Sequence, residues 1–178
     1  ENLYQALADN DLVGKMVIDK VRHYFDHPGF LQPVIEDLED KLEAMVKSGL
    51  DYSEIDVMFA THSIPDAMGE TSGPPALRET FEKPGGAYEA QHLAAAEIVM
   101  NKVHSDLGIS SVSWQLVYQS RSGSPQIPWL EPDVNDAIRD IHASGKKGVI
   151  VVPIGFVSDH VEVIWDLRSE EHTSELQS

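Results

Sequence analysis

Three short, mostly apolar runs constrain the fold of this chain more than any other feature of its sequence. They cover residues 55–60, 112–118 and 149–154, and polar or glycine-containing segments bound each of them. Between the runs, residues 88–104 and 132–143 place their apolar side chains at helical intervals. Strands that alternate with helices pair in parallel, and strands buried on both faces are apolar nearly throughout. The order predicts an α/β domain with three layers, a Rossmann-like parallel sheet with flanking helices.

Two further elements are predicted ahead of the first run. Residues 30–47 carry apolar side chains at helical spacing and end before Gly49, so they predict a helix. Residues 15–25 are rich in β-branched and aromatic side chains, which predicts a strand that runs into a loop.

The absence of cysteine from all 178 residues limits the chemistry that these residues can perform. It excludes disulfides, thiolate zinc sites, cysteine nucleophiles and cysteine-ligated iron–sulfur clusters within the sequence. Any metal site must use histidine, carboxylate or backbone oxygen, which suit Fe²⁺, Mn²⁺ or Mg²⁺. The lack of cysteine also fits a reducing compartment, so we expect a cytoplasmic location.

Charge and hydropathy exclude two classes of partner. The formal net charge is −17, and a negative field of this size repels nucleic acid. No apolar run approaches the ~18–20 residues that a membrane-spanning helix needs. We therefore expect no nucleic-acid partner and no transmembrane segment.

The two ends of the sequence predict that this chain is part of a longer natural protein. Residues 168–178 (RSEEHTSELQS) resemble the translation of a short-read sequencing adapter, and we interpret them as an artefactual tail. The natural chain is expected to continue past Leu167. It is also expected to begin before Glu1, because no initiator methionine and no complete first domain are visible.

Polar side chains follow each of the three predicted strands. His62 follows the first, Gln119 and Ser120 follow the second, and Glu162 follows the third. In an open parallel sheet, ligands bind at the carboxyl ends of the strands. The sequence therefore predicts a site at this edge that contains an imidazole and a carboxylate.

The spacing of these residues leaves two interpretations open. A neutral imidazole at His62 can bind a metal or accept a proton, but a loop histidine bonded to the backbone is the simpler alternative. Glu162 and Asp166 lie one helical turn apart, and they repel each other unless a cation or proton lies between them. A cation path fits that pair, and so does a solvated acidic helix face.

Three motifs, taken together, resemble the ferrochelatase family. The first is His62–Pro65 (HSIP) after an apolar strand, and the second spans residues 119–133, with Gln-Ser followed by Pro-Trp-Leu and Pro-Asp. The third spans residues 153–166, with PIGFVSDHVE and a later aspartate. Their order and spacing match the family over residues 1–167, and their wording resembles actinobacterial members.

The resemblance implies a lyase that inserts Fe²⁺ into a porphyrin during haem biosynthesis, with coproporphyrin III as the expected porphyrin. Such enzymes have two similar chelatase domains with the porphyrin between them. Residues 1–27 would be the end of the first domain and residues 28–167 most of the second. This chain alone is expected to be inactive, because half of the cleft would be absent.

The resemblance also implies roles for individual residues. The catalytic histidine and glutamate of the family fall on His62 and Glu162. Those two residues and Asp166, which falls on the next acid, would be the metal ligands. Gln119 and Ser120 fall at the porphyrin pocket.

Ferrous iron is the expected substrate metal, and no [2Fe–2S] cluster is expected. Some actinobacterial members hold such a cluster through cysteines, one of them in the loop after the catalytic histidine. In this chain Ser72 stands where that cysteine would be.

Two alternatives to this function remain. One is a cobalt or sirohydrochlorin chelatase, whose fold is related. The other is a non-catalytic α/β module of the same fold that binds metal or haem without inserting the metal.

Overall fold

The computed structural model describes residues 2–122 and 126–157 of the 178-residue chain. In chain order the helices and strands are α1 (Asn2–Asp9), α2 (Pro28–Lys47), β1 (Ile55–His62), α3 (Asp66–Glu70), α4 (Gly86–Leu107), β2 (Ser113–Gln119), α5 (Val134–Ala143) and β3 (Gly148–Val152). Short 3₁₀ helices cover Tyr52–Glu54 and Pro75–Thr80.

The sheet is parallel, as the alternation of strands and helices predicted. Its order is β2-β1-β3, so β1 is central and pairs with both neighbours. The register with β2 runs from Asp56 opposite Ser113 to His62 opposite Gln119. Because the strands are parallel, their carboxyl ends lie at one edge, and His62 stands in the middle of that edge.

Helices cover both faces of the sheet and give the predicted three layers. The first face packs against α2 and α4, with Ile55, Val57 and Phe59 of β1 in its core. The second face packs against α5, where Met58 and Ala60 contribute from the same strand. Alternate residues of β1 therefore face opposite layers, and burial of each large aliphatic side chain contributes about 1.5–3 kcal/mol.

Local signals explain where the helices begin and end. Asp133 caps α5 by accepting a hydrogen bond from the backbone N–H of Asn135, at 2.8 Å. Gly108 ends α4 in the left-handed conformation, with φ of 64°, which glycine adopts without strain. The predicted helix at 30–47 begins two residues early, at Pro28, where the side chain of His27 accepts from the N–H of Gly29.

The predicted strand at residues 15–25 is wrong. This segment forms no strand, and the side chains of Val17 and Val21 are 98% and 90% exposed. A strand needs a neighbouring strand to complete its hydrogen bonds, and among the described residues no strand pairs with this segment. Between β1 and α4 the chain forms α3 and the second 3₁₀ helix. Across the part of the chain that the structure describes, no helix has the length and apolar character to cross a membrane.

Candidate active site

His62 ends the central strand, and its hydrogen bonding defines which ring nitrogen carries the proton. The side chain is half-buried, and Nδ1 contacts the backbone oxygen of Ser63. A carbonyl oxygen only accepts hydrogen bonds, so Nδ1 must be the donor, and Nε2 is the ring nitrogen that can bind a metal or a proton. Histidines that bind metals commonly donate their other ring N–H to a backbone carbonyl in this way.

Gln119 is the neighbour of His62 across the sheet. The two residues are partners in the β1–β2 register, and the alternation of both strands places them on the α5 face. The Gln119 side chain is 1% exposed, and its Oε1 has no hydrogen-bond partner among the described residues. An unsatisfied buried acceptor costs about 1–3 kcal/mol, so this oxygen calls for a partner that the described residues do not supply.

Ser120 turns the chain away from β2 with an unusual backbone conformation. Its φ is 61°, in the left-handed region that disfavours a side chain by about 1–2 kcal/mol. Non-glycine residues held in this region concentrate at ligand-binding loops. The next residue, Arg121, extends from the same edge and lies 3.8 Å from the Glu131 carboxylate.

The loop after His62 is held against the segment that follows β2. The Ser63 hydroxyl donates to the Leu130 carbonyl at 2.9 Å, and the Leu130 N–H donates to the Ile64 carbonyl at 3.0 Å. The Asp66 N–H then donates to the Pro128 carbonyl at 3.0 Å. Two motifs that are far apart in the sequence, HSIP and Pro-Trp-Leu, therefore form one connected unit beside the site.

Thr61, Tyr88 and His92 form a hydrogen-bonded cluster on the other face of β1. The Thr61 hydroxyl lies 2.9 Å from the Tyr88 hydroxyl and 3.0 Å from His92 Nε2. The Tyr88 hydroxyl also donates to the His62 carbonyl at 2.8 Å, so the cluster reaches the main chain of the candidate catalytic histidine. Burial lowers the pKa of His92 and raises the pKa of Tyr88, so both side chains are uncharged near neutral pH.

Sequence reasoning gave this cluster no role. His92 lacks the spacing to another ligand that would indicate a metal site, and it lies 31 residues from Thr61 along the chain. Only the crossover from β1 into α4 brings the two together.

The loop after β3 packs directly on the end of β1. The Gly155 N–H donates to the Ala60 carbonyl at 3.2 Å. A Cβ at Gly155 would lie 2.2 Å from the Thr61 hydroxyl oxygen and 3.0 Å from the Thr61 Cα, so glycine is required at this approach. Residues 153–157, the described part of the third motif, therefore join the other two motifs at the same edge.

An aromatic cavity opens next to this approach. Its volume is about 260 Å³, smaller than the ~300–1,000 Å³ of most sites for drug-sized ligands. Ring-bearing residues around it are His23, Tyr24, Phe25, Phe30, His92 and Phe156. The cavity adds an apolar, aromatic surface to the edge that holds His62.

The structure brings some of the predicted site residues together and leaves others undescribed. His62, Gln119 and Ser120 lie together at the carboxyl edge of β1 and β2. Glu162 and Asp166 lie outside the described residues. Within residues 2–122 and 126–157, no three metal-ligating side chains form a group.

Comparison with known sequences agrees with the three motifs. A sequence profile of the Ferrochelatase family matches residues 1–177. The chain belongs to the ferrochelatase family. Named coproporphyrin III ferrochelatases are similar to it: that of Leifsonia xyli subsp. xyli is 46% identical over 175 residues, and that of Streptomyces coelicolor is 45% identical over 172. The Tropheryma whipplei protein of the same name is 44% identical over 171 residues.

These ferrochelatases extend well beyond the matched region. The alignments cover 96% of this chain but only 44%, 44% and 42% of the Leifsonia, Streptomyces and Tropheryma proteins. The chain therefore spans less than half the length of the curated relatives that it matches. The resemblance drawn from the motifs is confirmed at the level of the family.

Proposed function

We propose that the protein containing this chain inserts Fe²⁺ into a porphyrin, and that the porphyrin is coproporphyrin III. The observation that carries the proposal is the placement of His62, which is half-buried at the ligand-binding edge of the sheet with its Nδ1 held by the Ser63 carbonyl. Membership of the ferrochelatase family and the names of the relatives support the same reaction.

The reaction replaces two pyrrole N–H protons of the porphyrin with Fe²⁺, so a site for it must handle a metal ion and release two protons. The His62 lone pair can serve either need, as a ligand to iron or as the first proton acceptor. Glu162 is the proposed second catalytic group, and Asp166 the next metal ligand. Both rest on the motif alone, because they lie outside the described residues. One imidazole and two carboxylates leave the iron incompletely coordinated, so it can pass to four porphyrin nitrogens.

Gln119 and Ser120 are the proposed porphyrin-binding residues. Ser120 is half-buried at the end of β2, with its strained backbone at the edge. Gln119 is 1% exposed, so any contribution comes through its buried Oε1 next to His62, which the described residues leave without a hydrogen-bond partner. Arg121 offers a partly exposed cation beside them, and guanidinium groups pair well with carboxylates such as those on porphyrin substituents.

We propose that these 178 residues hold no [2Fe–2S] cluster, because they contain no cysteine to ligate one. A reducing compartment, the cytoplasm, is the proposed location on the same compositional ground.

Metal insertion by the natural gene product at its full length tests the proposal. The assay follows porphyrin absorbance under anaerobic conditions, with Fe²⁺ or Co²⁺ offered to coproporphyrin III, protoporphyrin IX or sirohydrochlorin. Samples without enzyme give the spontaneous rate. The proposal expects Fe²⁺ and coproporphyrin III to react fastest.

The other outcomes identify the alternatives. A preference for Co²⁺ and sirohydrochlorin would establish the cobalt-type chelatase instead. Tight binding of haem with no insertion above the spontaneous rate would establish a non-catalytic binding module.

A further inference from the structure

The cluster of Thr61, Tyr88 and His92 lies behind the strand that carries His62, and the proposed chemistry assigns it no task. Thr61 and His62 are adjacent on β1, so their side chains point to opposite faces of the sheet. The His62 side chain lies on the α5 face, and the cluster lies on the face that α4 covers. The connection between the two is the bond from the Tyr88 hydroxyl to the His62 carbonyl, at 2.8 Å.

The hydrogen-bond donors of the cluster follow from its acceptors. His92 Nδ1 lies 2.7 Å from the Tyr88 carbonyl, which only accepts, so Nδ1 carries the proton. Nε2 of the neutral ring is then an acceptor, and the Thr61 hydroxyl, 3.0 Å away, is its donor. The hydrogen of Thr61 is then used, so the single hydrogen of the Tyr88 hydroxyl lies between two acceptors, the His62 carbonyl at 2.8 Å and the Thr61 oxygen at 2.9 Å, in a three-centre bond. Each group thus sets the orientation of the next.

We propose that His92 is a positioning residue, which acts through Thr61 and Tyr88 to hold the main chain of His62 for metal insertion. This inference rests on the proposed function of His62. It assigns His92 no contact with iron or porphyrin.

The position of the His62 main chain sets the direction of its ring. The imidazole is attached to that main chain, and its Nδ1 bonds to the carbonyl of the very next residue, Ser63. A rotation of the peptide after His62 would move the ring and its partner together. Displacement of a reacting group by ~1 Å can reduce an enzymatic rate by up to ~10²-fold. A bond that fixes the His62 carbonyl therefore helps to maintain the rate of metal insertion.

Packing restricts the cluster to one arrangement. The rings of Tyr88 and His92 are in contact, with centroids 4.6 Å apart. Gly155 covers Thr61 so closely that a Cβ there would overlap its hydroxyl. Burial lowers the pKa of His92, while its bond to the Tyr88 carbonyl opposes that shift, and the ring stays neutral as the hydrogen-bond pattern requires. Among the residues lining the cavity beside His92, His23 and Tyr24 are the other titratable groups.

Three variants of the natural gene product at full length separate positioning from general stability. His92→Phe keeps a ring of similar size and removes the acceptor for Thr61. His92→Gln places an amide oxygen near the position of Nε2 and restores that acceptor. His104→Phe is the matched control, because His104 is also a half-buried histidine of α4 that bonds a backbone carbonyl, that of Val112 at 3.2 Å, at the opposite edge of the sheet.

The expected kinetic result is a loss in kcat without a loss in porphyrin binding. His92→Phe should lower kcat for iron insertion by about 10-fold, with KM for the porphyrin changed by less than about 2-fold. His92→Gln should recover kcat to within about 3-fold of the wild type, and His104→Phe should leave it unchanged. An unchanged kcat in His92→Phe, no recovery in His92→Gln, or an equal loss in His104→Phe would overturn the inference.

A second measurement keeps the inference testable if the protein inserts no metal. Long-range ¹H–¹⁵N spectra of the imidazoles report which ring nitrogen carries hydrogen. The wild type should show His92 and His62 protonated at Nδ1, and His92→Phe should give a mixed population of tautomers at His62. A wild-type His92 protonated at Nε2, or an unchanged His62 in the variant, would refute the positioning role whatever the activity.

Discussion

Replacing Gly155 with alanine perturbs the contact between the loop after β3 and the end of β1. The added Cβ would stand 2.2 Å from the Thr61 hydroxyl oxygen, 2.8 Å from its Cβ and 3.0 Å from its Cα, whereas ordinary contacts begin at 3.4 Å. Rotation of the Thr61 side chain can relieve the overlap with its hydroxyl oxygen but not the overlap with its Cα. The loop and the strand end must therefore separate, and Thr61 must leave its bonds to Tyr88 and His92.

The size of the effect follows from these overlaps. Overpacking by a single methyl group in a close-packed region costs about 1–3 kcal/mol. The backbone contact and the disturbed hydrogen bonds of Thr61 place Gly155→Ala in the upper part of that range. For a domain of this size each 1 kcal/mol lowers the melting temperature by about 2–4 °C.

Denaturant and thermal unfolding of the chain, followed by circular dichroism, measure this loss. Gly29→Ala is the control, because a Cβ at Gly29 meets only the His27 ring, at 3.3 Å, and alanine is favoured over glycine in a helix such as α2. Gly29→Ala should be as stable as the wild type or more stable. A Gly155→Ala protein with wild-type stability, or an equal loss in Gly29→Ala, would refute the reasoning from close approach.

Three further predictions concern groups around and opposite the site. Ser63→Ala removes the 2.9 Å hydrogen bond from a buried hydroxyl to the Leu130 carbonyl. It should lower the free energy of unfolding, measured by denaturant titration, by about 1–2 kcal/mol. An unchanged free energy of unfolding would contradict the docking of the HSIP loop. Burial lowers the pKa of His92 in the folded chain. As the pH falls below about 6.5, the His92 ring therefore takes up a proton more readily in the unfolded chain, and the free energy of unfolding falls by at most ~1.4 kcal/mol per pH unit. His92→Phe should lack this contribution, and equal pH dependence of unfolding in the two proteins would contradict it. Lys146→Met removes a 2.8 Å hydrogen bond to the Ser113 hydroxyl at the amino edge of the sheet. It should lower the free energy of unfolding by about 1 kcal/mol and leave the rate of metal insertion unchanged. A loss of insertion would contradict the placement of the site at the carboxyl edge.

The layered part of the fold was predictable because burial dictates the sequence pattern there. β1 and β3 are apolar, since helices cover both faces of the sheet, and α4 shows the helical spacing of its buried face. The structure shifts their ends by only a few residues. One example is β1, which continues to His62 and so makes that residue part of the strand.

The segment at residues 15–25 was mispredicted for a physical reason. Its β-branched and aromatic residues favour extended backbone, but a strand forms only where a neighbour accepts and donates its hydrogen bonds. The residue types of a segment indicate its preference for extended backbone, but they do not indicate whether a neighbouring strand is available to pair with it. In the structure the segment lies outside the sheet and most of it is exposed, with Val17 almost fully in solvent.

The candidate site likewise has a part that the sequence predicts and a part that it does not. His62, Gln119 and Ser120 could be predicted because strand ends and motifs mark them, and the structure places them side by side. The link from His92 to Thr61 could not be predicted, since it depends on how α4 lies across the sheet after a crossover. Hydrogen-bond partners between residues so distant in sequence are set by packing, which a local pattern does not encode.

The rate of iron insertion after removal of the His62 imidazole tests the central claim most directly. Wild-type and His62→Ala proteins, made as the natural gene product at full length, are compared with Fe²⁺ and coproporphyrin III under anaerobic conditions. The account predicts a loss of more than about 10²-fold, because the ring supplies the metal ligand or the proton acceptor. Near-normal turnover in His62→Ala would contradict the assignment of this edge of the sheet as the active site.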